Sequence, residues 1–254
     1  MRPIIIGAGR GSRLNALTDN QPKCFAPVGK RRILDWLLEA LTRAGLDTPV
    51  FIGGYQIELL RAEYPKLEFV HNDAWPSNNI LASLFYAEEY MDGGFVCSYA
   101  DILYRPNVVR RALEHPGDIV LCVDTQWRQR YKDRSQHPED DAEKVIAEGD
   151  KIVRIDRTIA ADQASGEYIG VARLSVQGAA WLRQYYHQAR ATFSGRVWRD
   201  NTQFEKAYLI HLFESMRRQG VPLHMVTTDG DYMEIDTEED FALANARWPQ
   251  FFAE

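Results

Sequence analysis

The chain opens with Pro3-Ile4-Ile5-Ile6, followed directly by Gly7-Ala8-Gly9-Arg10-Gly11-Ser12-Arg13-Leu14. The four apolar residues predict a buried strand, and the glycine-rich stretch predicts the loop that leaves it. Glycine at alternate positions lets the backbone bend tightly and bring its N–H groups against a ligand without interference from side chains. Successive N–H groups that point into one concavity bind anions. We therefore expect a phosphate-binding loop at residues 7–14.

Three cationic side chains accompany this loop. Arg10 and Arg13 lie within it, and Lys23 follows in Gln21-Pro22-Lys23, where the proline restricts the local backbone. Guanidinium and ammonium groups both bind phosphate oxygens. The combination favours a polyphosphate held by backbone amides and cations over a glycine-rich turn that binds nothing.

Two common phosphate-loop motifs do not fit. A Rossmann dinucleotide fingerprint needs Gly-x-Gly-x-x-Gly at the start of a helix. Here the third glycine falls one position early, at Gly11, with Ser12 in its place, and residues 15–22 show no helical pattern. A Walker loop needs Lys and then Ser or Thr after its last glycine, whereas Ser-Arg follows Gly11. The loop therefore belongs to another class.

The composition is that of a globular α/β protein. The 254 residues suffice for one sizeable domain, and 45% hydrophobic with 26% charged residues are ordinary for such a domain. The net charge of −6 and the lack of a long basic run argue against a nucleic-acid partner. Apolar stretches are all shorter than a membrane span, so we expect no membrane insertion.

Cysteine usage favours a reducing compartment. Cys24, Cys97 and Cys122 are too few for a disulfide framework and stand in apolar contexts, so we interpret them as small buried residues of a cytoplasmic protein. The first strand begins so early that we expect no signal peptide. The six histidines are scattered along the chain without metal-ligand spacing, and we assign them no role.

In the first half of the chain, near-continuous apolar strands alternate with amphipathic helices. This pattern is typical of a parallel sheet covered on both faces. The predicted strands are Ile4–Ile6, Val50–Ile52, Glu68–His71, Phe95–Tyr99 and Ile119–Val123, and helical stripes lie within 29–44, 57–60, 80–87 and 108–113. Ligands of such sheets bind beyond the carboxyl ends of the strands, which is where the loop at Gly7 and the residues after Tyr99 lie.

The second half breaks this pattern. Residues 126–134 are charged and aromatic, and residues 137–141 are rich in breakers. The segments predicted after them are a hairpin of strands Glu143–Ala147 and Lys151–Asp156, a strand Glu167–Leu174, helices Val176–Ala191 and Thr202–Gln219, strands Leu223–Val226 and Met233–Ile235, and a helix from Thr237. We predict an α/β fold with three α/β/α layers, a mixed and mainly parallel Rossmann-like sheet, and a small antiparallel region. We expect a single domain, 1–254, made of two halves, residues 1–123 and residues 124–254.

Two aspartates follow strands at the expected ligand edge. Asp101 stands directly after a buried strand, in Tyr99-Ala100-Asp101-Ile102, and Asp236 ends Met233-Glu234-Ile235-Asp236. Mg²⁺ is usually held by one or two carboxylates together with phosphate oxygens and water. For Asp236 an equally good interpretation is that it, or Thr237, caps the last helix.

The motif set resembles the nucleotidylyltransferases of the sugar-phosphate type. The resemblance rests on the Gly7–Leu14 loop, Thr18, Pro22-Lys23, and the two aspartate segments; Gly7 replaces a usual alanine, which we expect to be harmless because the backbone carries the function. Further segments resemble the branch of bacterial phosphocholine and phosphonate cytidylyltransferases. These are Asn72 with Asn78-Asn79-Ile80 and Ser83-Leu84, Val123-Asp124 with Trp127, Ala142-Glu143-Lys144-Val145, and Glu167-Tyr168-Ile169-Gly170.

The resemblance implies a Mg²⁺-dependent transfer of a nucleoside monophosphate from an NTP, with CTP preferred, to a small phosphorylated acceptor. It implies a nucleotide-binding half (1–123) and an acceptor-binding half (124–254). Catalysis would fall to Arg13, Lys23, Asp101 and Asp236, the two aspartates being the metal ligands. The residues expected to bind the nucleotide are Gly7, Ala8, Gly9, Arg10, Gly11, Ser12, Arg13, Lys23 and Asn79.

For the acceptor, aromatic and acidic side chains of the second half suit a cationic amine. We predict that the acceptor contacts Asn78, Trp127, Arg157, Glu167, Tyr168, Trp198 and Asp200; Lys144 is an alternative to Arg157. Phosphocholine or an aminoalkyl phosphonate would fit. A sugar-1-phosphate nucleotidylyltransferase and a non-catalytic nucleotide-binding regulator are the alternatives, and the chain is expected to be a monomer or a homodimer.

Overall fold

The computed structural model describes residues 1–132, 134–136 and 138–251, without the side chains of 15–17 and 249–251. The strands are β1 (Arg2–Gly7), β2 (Pro27–Val28), β3 (Arg31–Arg32), β4 (Val50–Gly53), β5 (Glu68–His71), β6 (Phe95–Tyr99), β7 (Ile102–Tyr104), β8 (Ile119–Asp124), β9 (Lys144–Glu148), β10 (Lys151–Ile155), β11 (Gly166–Leu174), β12 (Val197–Arg199), β13 (Thr202–Gln203), β14 (His224–Thr228) and β15 (Tyr232–Glu234). The helices are α1 (Ile33–Arg43), α2 (Ile57–Glu63), α3 (Ile80–Leu84), α4 (Pro106–Glu114), α5 (Trp127–Lys132), α6 (Val176–Phe193), α7 (Leu209–Arg218) and α8 (Glu238–Phe251), with 3₁₀ segments at Ser12–Thr18, Lys23–Phe25, Phe85–Tyr90, Glu139–Asp141 and Phe204–Lys206.

Nine strands form the main sheet, in the order β5-β4-β1-β6-β11-β8-β14-β10-β9. The pairs β5–β4, β4–β1, β1–β6 and β8–β14 are parallel. β11 lies antiparallel between β6 and β8, and β10 is antiparallel to both of its neighbours. The predicted α/β fold and its antiparallel hairpin are confirmed, but antiparallel pairing reaches the middle of the sheet and is not confined to a small region. β11 enters the sheet at the carboxyl edge, where Glu167 pairs with Asp124 at the end of β8, and it therefore runs opposite to β8 and β6.

Both faces of the sheet are buried, which explains the continuous apolar strands. Ile4 and Ile6 of β1 pack into one hydrophobic cluster, while Ile5 packs into the cluster on the opposite face. The first cluster also contains Phe213 of α7, so both predicted halves contribute to it. The division into a nucleotide half and an acceptor half stays a prediction.

The three cysteines are buried and unpaired, as predicted. Burial raises the pKa of the Cys97 thiol to about 12, which keeps it protonated and unreactive. Among the described residues, no helix combines the length and the apolar character that a membrane crossing requires.

Two local predictions are wrong, and one segment without a predicted element forms a helix. The helix predicted from Thr202 begins at Leu209, because the left-handed residues Asp200 and Asn201 turn the chain into the β12–β13 hairpin. Within residues 127–141, where the strand-helix pattern breaks, α5 forms, since Trp127 and Tyr131, one helical turn apart, share a small core with Ala142. The segment after the glycine loop, where no helix was predicted, contains the 3₁₀ helix Ser12–Thr18.

Gly7 is required by packing in this chain, which goes further than the expectation that a glycine is harmless at this position. A Cβ at Gly7 would lie 2.5 Å from Cζ of Phe51 and 2.7 Å from Cβ of Ala100. Phe51 is fully buried in the second cluster and fills the space that an alanine side chain would need.

Gly7→Ala should therefore lower the free energy of unfolding by about 1–3 kcal/mol, the usual cost of overpacking a core. Urea unfolding of the purified chain measures this. Gly9→Ala is the matched control, since nothing lies within 4 Å of a Cβ at Gly9, and it should stay within about 0.5 kcal/mol. Equal stability of both variants would contradict the packing argument.

Candidate active site

The glycine loop leaves β1 at the carboxyl edge of the sheet, next to the end of β6. Together with Trp75, Asn78 and the carboxylates described below, it lines a cavity of about 250 Å³. Gly11 has φ of 70°, and a Cβ there would lie 2.7 Å from Cδ and 2.9 Å from Cβ of Lys23. Gly11 is thus needed both for its left-handed backbone and for the close passage of the Lys23 side chain.

Lys23 joins the two predicted metal ligands. Its Nζ donates to Oδ2 of Asp101 at 2.8 Å and also to Oδ1 of Asp236. The lysine is only 8% exposed. Burial by itself would lower the pKa of Lys23, but the two carboxylates outweigh it and raise that pKa above its usual value, so the ammonium stays charged.

A two-stranded ribbon outside the main sheet brings the distant aspartates together. β7 begins directly after Asp101, and β15 is followed by Ile235 and then Asp236. The two strands pair antiparallel. The N–H of Ile235 donates to the carbonyl of Asp101 at 3.0 Å. The pairing therefore fixes both carboxylates at one end of the ribbon.

The helix-capping alternative for Asp236 is resolved by its neighbours. Oδ2 of Asp240 accepts from the backbone N–H groups of Asp236 and Thr237, and Oγ1 of Thr237 accepts from the N–H of Asp240 at 3.2 Å. These two side chains cap the start of α8. The carboxylate of Asp236 turns instead to Lys23 and to Arg13, whose Nη2 lies 2.6 Å from Oδ2.

The donor set suits a hard divalent cation. Asp101 and Asp236 both reach one lysine nitrogen, so their oxygens are close enough to share an ion. Oδ1 of Asp101 is buried and has no hydrogen-bond partner among the described residues. A buried carboxylate oxygen without a donor calls for a cation or an ordered water.

Most of the residues predicted to bind the nucleotide line this cavity: Gly7, Ala8, Gly9, Gly11, Arg13, Lys23 and Asn79. Arg10 and Ser12 are not among its lining residues. Arg10 instead pairs with Asp19 (Nη2 to Oδ1, 3.0 Å), and its guanidinium lies 5.6 Å from the ring centre of Tyr55. In this structure Arg10 is therefore turned away from the expected phosphate position.

Asn78 and Asn79 are held by hydrogen bonds that the sequence motif did not reveal. The fully buried Asn72 donates to Oδ1 of Asn78 at 3.0 Å and to Oγ of Ser83 at 2.7 Å, and Asn78 donates back at 2.9 Å. Oδ1 of Asn79 caps α3 through the N–H of Ile80. Asn72, held by Ser83, thus fixes the orientation of Asn78 in the cavity wall.

A second cavity, of about 190 Å³, adjoins the first. The residues common to both cavities are Arg13, Asn79, Ile80, Tyr99, Asp101 and Asp236. The predicted acceptor residues Arg157, Glu167 and Tyr168 line the second cavity, and Asn78 lines the first. The Arg157 guanidinium lies 4.2 Å from the ring centre of Tyr208, and Lys144, its alternative, instead donates to the carbonyl of Glu139.

The other predicted acceptor residues, Trp127, Trp198 and Asp200, line neither cavity. Trp127 is 2% exposed within its small core, and Trp198 packs on Phe204 with ring centres 5.4 Å apart. Asp200 is exposed in the β12–β13 turn. A contact between these three residues and the acceptor stays a prediction.

Sequence reasoning missed Glu143 as a site residue. It lines the second cavity, where Oε2 accepts from the hydroxyl of Tyr99 at 3.3 Å. Burial raises the pKa of Glu143 to about 7; the charges of Glu167 and Asp101 add to this, while Arg157 opposes it. The segment Ala142-Glu143-Lys144-Val145 was noted only as part of the family resemblance, and that motif does not predict the burial of Glu143.

The spacing of the histidines in the sequence does not suggest a metal site, yet the fold brings His115 and His224 to the same aspartate, Asp150. Nε2 of His115 lies 2.9 Å from Oδ2 of Asp150, and Nδ1 of His224 lies 3.4 Å from the same oxygen. However, Nδ1 of His115 accepts from the N–H of Gly117 at 3.0 Å. Neutral His115 therefore carries its proton on Nε2, the nitrogen that a metal would need.

Comparison with known proteins gives one family. The model of the MobA-like NTP transferase domain matches residues 3–195. The CTP:phosphoglutamine cytidylyltransferase of Campylobacter jejuni subsp. jejuni serotype O:2 is 28% identical over 250 residues, covering 94% of this chain and 97% of that enzyme. The choline-phosphate cytidylyltransferase of Streptococcus pneumoniae is 29% identical over 116 residues, covering 44% of this chain and 50% of that enzyme.

Among solved structures, the CTP:phosphocholine cytidylyltransferase of Streptococcus pneumoniae superposes with a TM-score of 0.72 at 20% identity. The match covers 96% of this chain and 97% of that one. At this identity the likeness establishes the fold. Together with the family match, it confirms the resemblance to nucleotidylyltransferases that the sequence motifs indicated.

The raised pKa of Glu143 predicts a pH-dependent stability. The folded-state pKa of about 7 exceeds the ordinary 4.5. Protonated Glu143 therefore makes its full contribution to the free energy of unfolding below about pH 4.5, and this contribution is lost as the pH rises through about 7. Glu143→Gln keeps the side chain neutral. Relative to wild type, the variant should gain up to about 3 kcal/mol of unfolding free energy between about pH 5 and pH 8.

Denaturant unfolding at the two pH values measures this difference. Glu148→Gln, an exposed glutamate on the neighbouring β9, is the control and should follow wild type. If the pH dependence of Glu143→Gln also followed wild type, Glu143 would not be the titrating group.

Proposed function

The chain belongs to the MobA-like NTP transferase domain family, and from that premise we propose that it transfers CMP from CTP to a small phosphorylated amino compound and releases pyrophosphate. The observation that carries the proposal is the buried Lys23, bonded to both Asp101 and Asp236 where two cavities meet. One cavity is lined by the glycine loop and the other by acidic and aromatic side chains. The cytoplasm, which supplies nucleoside triphosphates, is the compartment that this reaction needs.

The preference for CTP is supported by the relatives. The Campylobacter and Streptococcus enzymes are both named for cytidylyl transfer. The Campylobacter enzyme, named for phosphoglutamine, matches over nearly the whole of both chains. Phosphorylated amino acids and amides therefore stand beside phosphocholine and aminoalkyl phosphonates as acceptors.

Asp101 and Asp236 would hold Mg²⁺, which, when bound, neutralises charge on the transferring phosphate. The orphaned Oδ1 of Asp101 supports this assignment. Two carboxylates with phosphate oxygens and water completing the coordination are a common Mg²⁺ arrangement.

In the proposed reaction, an oxygen of the acceptor phosphate attacks the α-phosphorus of the nucleotide. A new P–O bond forms there while the bond to the bridging oxygen breaks, and pyrophosphate leaves. The acceptor phosphate is already anionic near neutral pH, so no general base is required. The obstacle is repulsion between two phosphates, which would be reduced by Lys23 in the first cavity and by Arg13, which lines both.

The second cavity favours an acceptor that carries an amine. Glu143, Glu167 and Glu234 line it together with tyrosine rings. An ammonium group placed beside Glu143 would stabilise its ionised form and form a charge-assisted hydrogen bond. Arg157 supplies the complementary charge for the acceptor phosphate. A neutral sugar would hydrogen-bond to these carboxylates without balancing their charge, which places the sugar-1-phosphate reaction second.

Lys23→Ala should lower kcat by at least about 100-fold, because it removes charge stabilisation from the reacting phosphates. Pyrophosphate release measures the rate, and circular dichroism checks the fold. The control is Lys30→Ala, an exposed lysine of the same region, which should retain activity. A near wild-type rate for Lys23→Ala would refute the assigned role.

A substrate matrix tests the reaction itself. CTP, UTP, ATP and GTP are each combined with phosphocholine, phosphoethanolamine, 2-aminoethylphosphonate, phosphorylated amino acids and amides, and hexose 1-phosphates, with Mg²⁺ present. Pyrophosphate release is expected with CTP and an amine-bearing acceptor. Release only with a hexose phosphate would select the sugar-type enzyme, and tight nucleotide binding without any release would select a non-catalytic regulator.

A further inference from the structure

Trp75 occupies a distinct end of the nucleotide cavity. It lines the first cavity together with Ala8, Gly9, Asn78 and Ser83, none of which lines the second. The residues common to both cavities, which include Asp101 and Asp236, mark where the reacting phosphates would meet. A nucleotide with its phosphates at that boundary extends its base toward the end that Trp75 occupies.

The indole of Trp75 packs against the backbone of Gly54, which has no side chain. A Cβ at Gly54 would lie 2.7 Å from both Cγ and Cδ1 of Trp75, and also 2.7 Å from the carbonyl oxygen of Ala8. Only glycine leaves room for the indole and the phosphate-loop carbonyl at once. The N–H of Tyr55, the residue after Gly54, donates to that same Ala8 carbonyl at 2.9 Å. This hydrogen bond links the backbone beneath the indole to the glycine loop.

Tyr55 braces the indole from the side. The two rings meet edge to face, with centres 5.6 Å apart and planes at 67°. The Tyr55 hydroxyl donates to the carbonyl of Asp19 at 2.6 Å, and Arg10 lies over the Tyr55 ring while paired with Asp19. Arg10, Tyr55 and Trp75 thus form one row from the glycine loop into the cavity.

We infer that Trp75 is the stacking platform for the nucleobase, with Gly54 as its seat and Tyr55 and Arg10 as positioning residues. This inference rests on the proposed function. The phosphates are bound separately, by loop amides and Lys23, so the affinity for base and the affinity for phosphate are carried by different residues. Stacking on an aromatic ring is tolerant of base identity, so Trp75 contributes affinity and leaves base selection to polar groups.

The test compares CTP with inorganic tripolyphosphate, each titrated calorimetrically into the full chain. Trp75→Ala should weaken CTP binding by about 5- to 100-fold, the range expected for losing one stacked base, and leave tripolyphosphate binding within about twofold. In turnover, KM for CTP should rise while kcat stays near wild type. Trp75→Phe should retain most of the CTP affinity.

Two further variants separate stacking from general damage. Gly54→Ala keeps the indole but displaces it, and should lower CTP affinity more than tripolyphosphate affinity. Trp181→Ala, a half-buried tryptophan of α6 that lines neither cavity, should bind both ligands normally.

The outcomes are distinct. Unchanged CTP affinity in Trp75→Ala, or an equal loss for both ligands, overturns the stacking platform. Failure of the wild-type chain to bind either ligand overturns the proposed function instead.

Discussion

The contact between Lys23 and the carboxylates of Asp101 and Asp236 is the interaction on which the site depends. It joins three parts of the chain, namely the segment after the glycine loop, the end of β6 and the end of β15. With little solvent to screen them, these charges must compensate one another, because removal of one partner from a buried pair leaves the other uncompensated. The missing side chain of Gly11 allows the lysine stem to reach this position.

Charge is divided along the cleft in a way that matches a transfer between two anions. In the proposed reaction, the first cavity would present backbone amides and cations to the nucleotide, and the second would present carboxylates, tyrosine rings and Arg157 to the acceptor. Lys23 and Arg13 concentrate positive charge near the boundary. The same boundary carries the two aspartates, so a divalent ion and the reacting phosphates would share one small volume.

The sequence predicted best those features whose cause is local. The apolar run Ile4–Ile6 has to be a strand buried on both faces, and the glycines after it have to form an open loop. Features caused by distant contacts were missed. Nothing near Arg10 reveals that Tyr55 and Asp19 would engage it, and nothing near Glu143 reveals its burial. The Thr202 helix failed because the left-handed conformations of Asp200 and Asn201 override a helical pattern.

Because the β7–β15 ribbon includes the last strand, the site is completed only near the end of chain synthesis. β14 completes the nine-stranded sheet, and β15 follows it in sequence. During synthesis, a nascent chain that has released every strand of the main sheet still lacks Asp236, which also lies beyond residues 3–195, the span of the family match. A chain terminated between β14 and Asp236 would therefore contain every strand of the main sheet and still lack one of the two proposed metal-binding carboxylates.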